Sequence, residues 1–382
     1  MSPEKKYDYI ITGAGCAGLS LVVHMIKSGQ FQDEKILLID KGAKKANDRT
    51  WCFWEKNDGL FQSIVFKQWS NLFFKSNRFA NELDIAPYQY KMIRGIDFYN
   101  YCLHEISKHA NIEFIHAPVQ HIFSTEKSTG VLVNDEAIYC DYIFNSIVFD
   151  QPQLSKKEYW LLQHFKGWII QTEQNCFDST IATLMDFCID QKEGTAFCYV
   201  LPFSANKALV EYTLFSPNLL QPEAYDAGLK KYIEHNLGIN AYQILDKEFG
   251  VIPMTNFEFA QHRNNIINIG TAGGYTKGSS GYTFQFIQKA SEEIVQRMMA
   301  KGYPYQTKKS GKRFHFYDSV LLNILYNRTL EGSDIFTDLF QKNKPQRILK
   351  FLDNETSLSE ELSIINTLPT MPFLKAAIRQ LI

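Results

Sequence analysis

Two short apolar runs stand near the start of the chain. YDYIITG (7–13) is rich in β-branched residues and ends in glycine, and KILLID (35–40) repeats the pattern and ends in an acid. Unbroken runs of this length predict strands buried on both faces of a parallel sheet. Between them LSLVVHMIKSG spaces its apolar residues for a helix and closes on a glycine. From 112 to 145 the pattern changes to short alternating strands, IEFI, VQHIF, GVLV, AIY and YIFNSI, which predict a small antiparallel insert returning to the main sheet. Longer aromatic strands follow from about 160 to 250. The clearest is FCYVLPFSANKALVEYTLFS, a hairpin turning at Ser204-Ala205-Asn206.

In the second strand of that hairpin, period two puts Ala208, Val210, Tyr212 and Leu214 on one face and Leu209, Glu211, Thr213 and Phe215 on the other. Both faces are mainly apolar, so the strand is expected to be covered on both sides, and Glu211 is out of place. It is either an edge carboxylate reaching water, a partnered structural carboxylate, or an acid facing an apolar cavity. In the last case burial raises its pKa and lets it hold a proton near neutral pH.

GAGCAG joins the first strand to the first helix and matches G-x-G-x-x-G at Gly13, Gly15 and Gly18, with Asp40 lying 22 residues beyond Gly18. The first glycine makes the tight turn, the second lets the backbone approach a pyrophosphate, and the third permits close helix–strand packing. The helix N-terminus offers its free N–H groups to phosphate, and Asp40 is placed for ribose hydroxyls. With strand, helix, second strand and terminal acid in order, the segment reads as a dinucleotide site. NNIINIGTAGGYTKGSSGYTFQFIQKASEEIVQRMM (264–299) repeats strand, glycine-rich turn and helix far downstream. A helix start near Gly281 would aim N–H groups at an anion or a flavin ring, which favours FAD over NAD.

The balance of 40 Lys+Arg against 41 Asp+Glu gives no field for nucleic acid. Seven cysteines stand singly, without C-x-x-C or clustered histidines, so neither a metal site nor a disulfide framework is expected and a reducing cytoplasm fits. Tyr9–Ile26 carries no charged side chain behind Lys5 and Lys6, as in a signal peptide or short span. The small residues Gly13–Cys16 at its middle favour the nucleotide turn instead. NDRTWCFWEK (47–56) sets an Asp-Arg pair against aromatic rings.

Together, NDRTWCFWE, GAGCAG, YKMIRGIDFYNYCL, MDF (185–187), LPFSANKALVEYTLFS, IGTAGGYTKGSSGY and the ending FLDNETSLSEELSIINTLPTMPFL closely resemble bacterial lycopene β-cyclases over essentially the whole chain. The resemblance implies an α/β fold: a glutathione-reductase-like FAD domain (1–75, 95–150 and 245–300), an antiparallel substrate sheet (76–94 and 151–244) and a helical C-terminal region (301–382). It implies closure of the ψ-ends of lycopene to β-ionone rings, through a one-ring intermediate, with reduced FAD, no net redox change and NAD(P)H as reductant. Glu211 matches the family's proposed proton donor, and Met185-Asp186 match its Met-Asp motif, although Phe187 and Cys188 follow where plant-type members have Trp-Arg.

The same resemblance assigns Gly13, Gly15, Ala17, Gly18, Asp40, Arg49, Gly270, Thr271, Gly273 and Gly281 to the cofactor, and Trp51, Trp54, Asp186 and Tyr212 to substrate. By analogy with relatives that carry an Arg in this region, Arg49 is a candidate pyrophosphate cation, with Trp51, Phe53 and Trp54 then candidate walls for flavin or substrate and Glu55 a second carboxylate of interest. The alternative is that Asp48 and Arg49 simply pair while the rings pack. Thr271 stands where flavin hydroxylases carry an Asp, which argues against the rival reading of an FAD monooxygenase. A prenyl-chain reductase on the same fold is a second rival, and a carotenoid- or nucleotide-binding protein without chemistry is a third, which the full set of motifs disfavours. A carotene substrate lives in the bilayer, so a peripheral contact with the membrane surface is expected. PFLKAAIRQLI sets Phe373, Leu374, Ala377, Ile378 and Leu381 on one helical stripe, with Lys375 and Arg379 off it, either as an interfacial helix or as a core-packed one. Ser357 and Glu360 form a capping-box pattern.

Overall fold

The computed structural model describes residues 7–305 and 311–381. Among these the strands form three sheets, of eight, seven and three strands. The first apolar run becomes the strand Tyr7–Thr12, flanked in parallel by Ile36–Asp40 and by Glu136–Asn145. Its buried residues Ile10, Ile11 and Thr12 are fully excluded from solvent, as an unbroken apolar run requires. The helix Cys16–Ser28 packs on this sheet and stops at Gly29, whose φ of 68° is left-handed. Val119–Ser124 and Thr129–Val133 form the antiparallel insert, which returns through Glu136–Asn145. Tyr9–Ile26 is thus a strand, a turn and most of a helix, and no helix among the described residues is long and apolar enough to cross a membrane. Lys5 and Lys6 lie outside the described residues.

The seven-stranded sheet runs in the order 243–255, 160–171, 207–216, 195–204, 181–186, 71–75, 80–84. The predicted hairpin is there, as Thr195–Ser204 against Lys207–Ser216. The helix Pro222–Lys231 covers one face, packing Leu229 against Ala208 and Val210. The C-terminal helices cover much of the other, with Phe336 stacked on Phe187 and Phe340 on Phe74. Strand membership departs from the expected domain limits. Asn71–Lys75 and all of Gln243–Thr255 belong to the seven-stranded sheet, while Gln89–Arg94 pairs with Thr50–Glu55 in the small third sheet. The C-terminal region is helical throughout its described length, from Lys312–Tyr326 to Thr370–Leu381, and the Ser357–Glu360 capping box is formed.

Candidate active site

The nucleotide loop is built by three glycines with three different jobs. Gly13 has φ +95°, a conformation that side chains rarely adopt, and a Cβ there would also strike Ser146. Gly18 has no room, since a Cβ would lie 2.0 Å from the carbonyl oxygen of Gly13. Gly15 has nothing within 4 Å of where its Cβ would be. The loop is therefore closed toward the protein at Gly13 and Gly18 and open at Gly15, at the start of a helix. Asp40 braces it, accepting from the N–H of Ala14 and of Gly42, both at 2.7 Å, and pairing with Lys44 at 3.0 Å.

A cavity of ≈ 500 Å³ opens at Gly15 and runs between the two large sheets. Gly15, Ala17, Arg49, Trp51, Gly270, Thr271 and Gly281 line it, and so does Glu211 at a distance of almost two hundred residues in sequence. Gly281 has φ +72°, and a Cβ would lie 2.2 Å from Oε1 of Gln163, so only glycine fits. Two polar atoms on this wall, Gln163 Oε1 and Ser280 Oγ, are buried without a hydrogen-bond partner. Unsatisfied buried groups of this kind carry a free-energy cost unless a ligand pairs with them. Open space at Gly15, a helix N-terminus and orphaned polar atoms beyond it fit a bound dinucleotide with a polar ring at its far end.

Beyond this wall the cavity turns apolar and aromatic. Tyr90, Tyr199, Tyr282, Leu201 and Leu209 line it together with Glu211, and Tyr199 stands directly opposite Glu211 across the hairpin. Glu211 accepts a hydrogen bond from the Thr213 hydroxyl at 2.7 Å. It is half-buried, because part of its side chain forms the cavity wall, yet protein encloses it on every side of that wall. Desolvation, and then the nearby Glu248, push its pKa well above the ordinary carboxyl value. Of the three openings posed by the strand pattern the edge is ruled out: Glu211 lies on an inner strand, is partnered by Thr213 and lines the cavity.

Several expected site residues lie elsewhere. Tyr212 points to the opposite face of its strand, where it packs on Gly228 of the covering helix. Asp186 is 3% exposed and accepts from Tyr232 Oη and from the N–H of Cys188, both at 2.9 Å, so it ties the sheet to the helical turn Tyr232–Asn236 and does not reach the cavity. Trp54 shares its strand face with the cavity residue Cys52 but does not itself line the cavity: it is buried behind Tyr282, edge-on to that ring. Gly273 does not line the cavity but allows close approach to the Asn268 carbonyl. Glu55 is held by the buried Lys91 at 2.8 Å and by Gln285 at 3.0 Å, away from Glu211. Arg49 does stand at the cavity, with Asp48 at 4.0 Å, while Asp48 also accepts from Tyr99 Oη at 2.9 Å.

Gln163 and Glu248 escaped sequence reasoning. The available signal was glycine inside aromatic strands, Gly167 and Gly250, which marks close approach of another group.

A dinucleotide loop on a parallel sheet, an antiparallel sheet beside it and one cavity between them define a flavoprotein-type α/β fold. Solved structures agree. A geranylgeranyl bacteriochlorophyll reductase-like protein from Thermoplasma acidophilum matches with TM-score 0.66 and 12% identity, covering 99% of this chain and 100% of that one. A flavoprotein/dehydrogenase from Cytophaga hutchinsonii also matches with TM-score 0.66 and 12% identity, covering 99% of each. The family model described as lycopene cyclase protein matches residues 8–378, so the chain belongs to the lycopene cyclase family. It is 24% identical over 304 residues to the lycopene beta-cyclase of Pantoea ananas, covering 76% of this chain and 74% of the relative. Family membership makes it a carotenoid cyclase.

Proposed function

We propose that this chain is a lycopene β-cyclase, an intramolecular lyase that closes the acyclic ends of lycopene to β-ionone rings, by way of γ-carotene to β-carotene. The observation that carries the reading is Glu211, a carboxyl kept protonated by burial at the aromatic end of the cavity. An alkene is a very poor base, so its protonation needs an acid that water cannot level. Glu211 transfers its proton to the terminal double bond, the resulting cation closes on the neighbouring alkene, and return of a ring proton to the Glu211 carboxylate leaves the cyclic end group and restores the acid. No electron is gained or lost. The rings of Tyr90, Tyr199 and Tyr282 offer π faces to the cation, which has no hydrogen-bonding handle.

FAD is the cofactor that the fold and wall favour, with Gly15, Ala17 and Arg49 at its pyrophosphate and Thr271, Gly281, Gln163 and Ser280 toward its ring. When bound and reduced, with NAD(P)H as donor, it supplies negative charge beside the cavity. Contact with the membrane surface is supported by the helices Leu358–Ile365 and Thr370–Leu381. Phe373 and Ala377 pack inward, while Leu374, Ile378 and Leu381 stay exposed beside Leu358, Leu362 and Met371.

Anaerobic incubation with lycopene in liposomes and dithionite-reduced FAD, followed by chromatography of the carotenes, tests the reading. Cyclic product should form there, with neither O₂ nor NAD(P)H present; in a parallel aerobic incubation with NAD(P)H, stoichiometric consumption of O₂ or NAD(P)H per product would instead mark a monooxygenase or reductase. Glu211→Gln should lower the rate by about 10²–10⁴-fold, the usual contribution of a general acid, with flavin binding unchanged. A Glu211→Gln protein that cyclises lycopene at the wild-type rate removes Glu211 from the mechanism.

A further inference from the structure

Three neighbouring strands place Glu211, Gly167 and Glu248 in one row. Glu211 pairs with Gly167 of the central strand Trp160–Gln171, and Gly167 pairs with Glu248 of the edge strand Gln243–Thr255. Directly opposed residues project to the same face of a sheet, so two carboxyl side chains flank a position that has none. A Cβ at Gly167 would lie 2.9 Å from Glu248 Cγ and 3.1 Å from its Oε1. Glu248 therefore leans over the glycine, toward Glu211.

The outer atoms of the pair are fixed. Thr50 donates to Glu248 Oε2 at 2.7 Å, and Thr213 donates to Glu211 Oε1 at 2.7 Å. Glu248 Oε1, the oxygen above Gly167, is buried without a hydrogen-bond partner. Glu211 lines the cavity and Glu248 does not.

We propose that Glu248 is a positioning carboxylate that shares a proton with Glu211 across Gly167 and keeps that proton on Glu211, the member facing the cavity, at neutral pH. The inference rests on the reading of Glu211 as the acid. Burial pushes both carboxyls up, but the two are not equivalent. Each carboxyl has one threonine hydroxyl that favours its ionised form, Thr50 on Glu248 and Thr213 on Glu211. The difference therefore lies in the coupling: the neighbouring carboxyl pulls Glu248 down, whereas the charge on Glu248 opposes ionisation of Glu211. Facing the pair are Cys52 from the strand Thr50–Glu55, Tyr199 from Thr195–Ser204 and Asp246 on the edge strand, while Cys198 lies on the opposite face of its strand beside Tyr212. None of these is a cation, so none competes for the second ionisation. The first proton leaves Glu248 and the second stays on Glu211, as in any coupled pair whose members differ in environment.

Infrared difference spectroscopy of the full-length protein follows the carbonyl stretch of protonated carboxyls through a pH titration, in an Asp353→Asn background that removes another buried acid. The unmutated pair should titrate in two steps, and Glu211→Gln should abolish the upper one. Glu248→Gln, which keeps an oxygen for Thr50, should move the Glu211 midpoint down by about one pH unit or more, the minimum for a coupled pair. The basic limb of the cyclisation profile should move the same way, with Glu248→Asp restoring it; a purely structural role would lower activity equally at every pH.

An unchanged Glu211 midpoint in Glu248→Gln overturns the inference. If that variant does not fold, a single step in the unmutated pair overturns it instead, and two steps with the upper one lost in Glu211→Gln support it. The two levels separate cleanly. An inactive Glu211→Gln with an unmoved midpoint in Glu248→Gln sinks the pairing alone, while an active Glu211→Gln sinks the acid assignment and leaves the spectroscopic pairing to stand by itself.

Discussion

Gly15 and Gly18 differ in what a methyl group would meet, open space in one case and the Gly13 carbonyl at 2.0 Å in the other. Gly18→Ala should cost about 1–3 kcal/mol of stability, the range for overpacking a close contact. Gly15→Ala should leave the melting temperature of the cofactor-free protein near wild type while weakening flavin binding, because the space it fills is the ligand's. Calorimetry and flavin fluorescence separate the two, and a Gly15→Ala protein that binds flavin normally contradicts the placement. Asp353, 8% exposed, has its pKa raised to about 7, first by burial and against the pull of Lys289. The native state then holds a proton that the unfolded chain has lost. Stability must fall as pH rises from the ordinary carboxyl range through about 7. Asp353→Asn should flatten that fall, measured as melting temperatures at about pH 5 and about pH 8. At this scale Glu211 was legible because a carboxylate in an apolar strand breaks its pattern. Glu248 was not, because nothing in DKEFGVIP indicates which strand lies alongside.

Strand alternation decided which of the expected contacts are real. Glu211 and Tyr212 are adjacent and must face opposite ways, so Tyr212 belongs to the covering helix once Glu211 belongs to the cavity. The same rule divides NDRTWCFWEK, sending Trp51 and Phe53 to the nucleotide-domain core beside Phe98 and Phe284, and Cys52 and Trp54 to the other side. The stretch reads as one aromatic slab in sequence and serves two cores in space. Asp186 joins its sheet to the turn around Tyr232 rather than touching substrate. Asp186→Asn should therefore lower stability by about 1–3 kcal/mol through its buried partners, with KM for the carotene unchanged. Denaturant titration together with steady-state kinetics checks this, and a raised KM at unchanged stability would return Asp186 to the substrate site.

For the whole molecule, the exposed apolar face of the last two helices is the feature without a packing explanation. Leu374, Ile378 and Leu381 are 50%, 44% and 72% exposed, and Lys375 and Arg379 are exposed with them. Replacing the three apolar residues by serine should reduce flotation with anionic vesicles. The melting temperature should change little, since exposed substitutions alter stability by roughly 0.5 kcal/mol or less. Undiminished flotation would move the docking surface elsewhere. The sequence by itself determined the glycine loop, the buried parallel strands, the hairpin and the anomaly of Glu211, because each is written in consecutive residues whose spacing matches a strand or helix period. Only the tertiary structure decided that Glu248 meets Glu211 over Gly167, that Gln163 faces Gly281, that Trp54 lies behind Tyr282, and that Asp186 and Tyr212 turn away. Those facts depend on strand order and on how the two sheets are set around the cavity, and a local period carries no record of either.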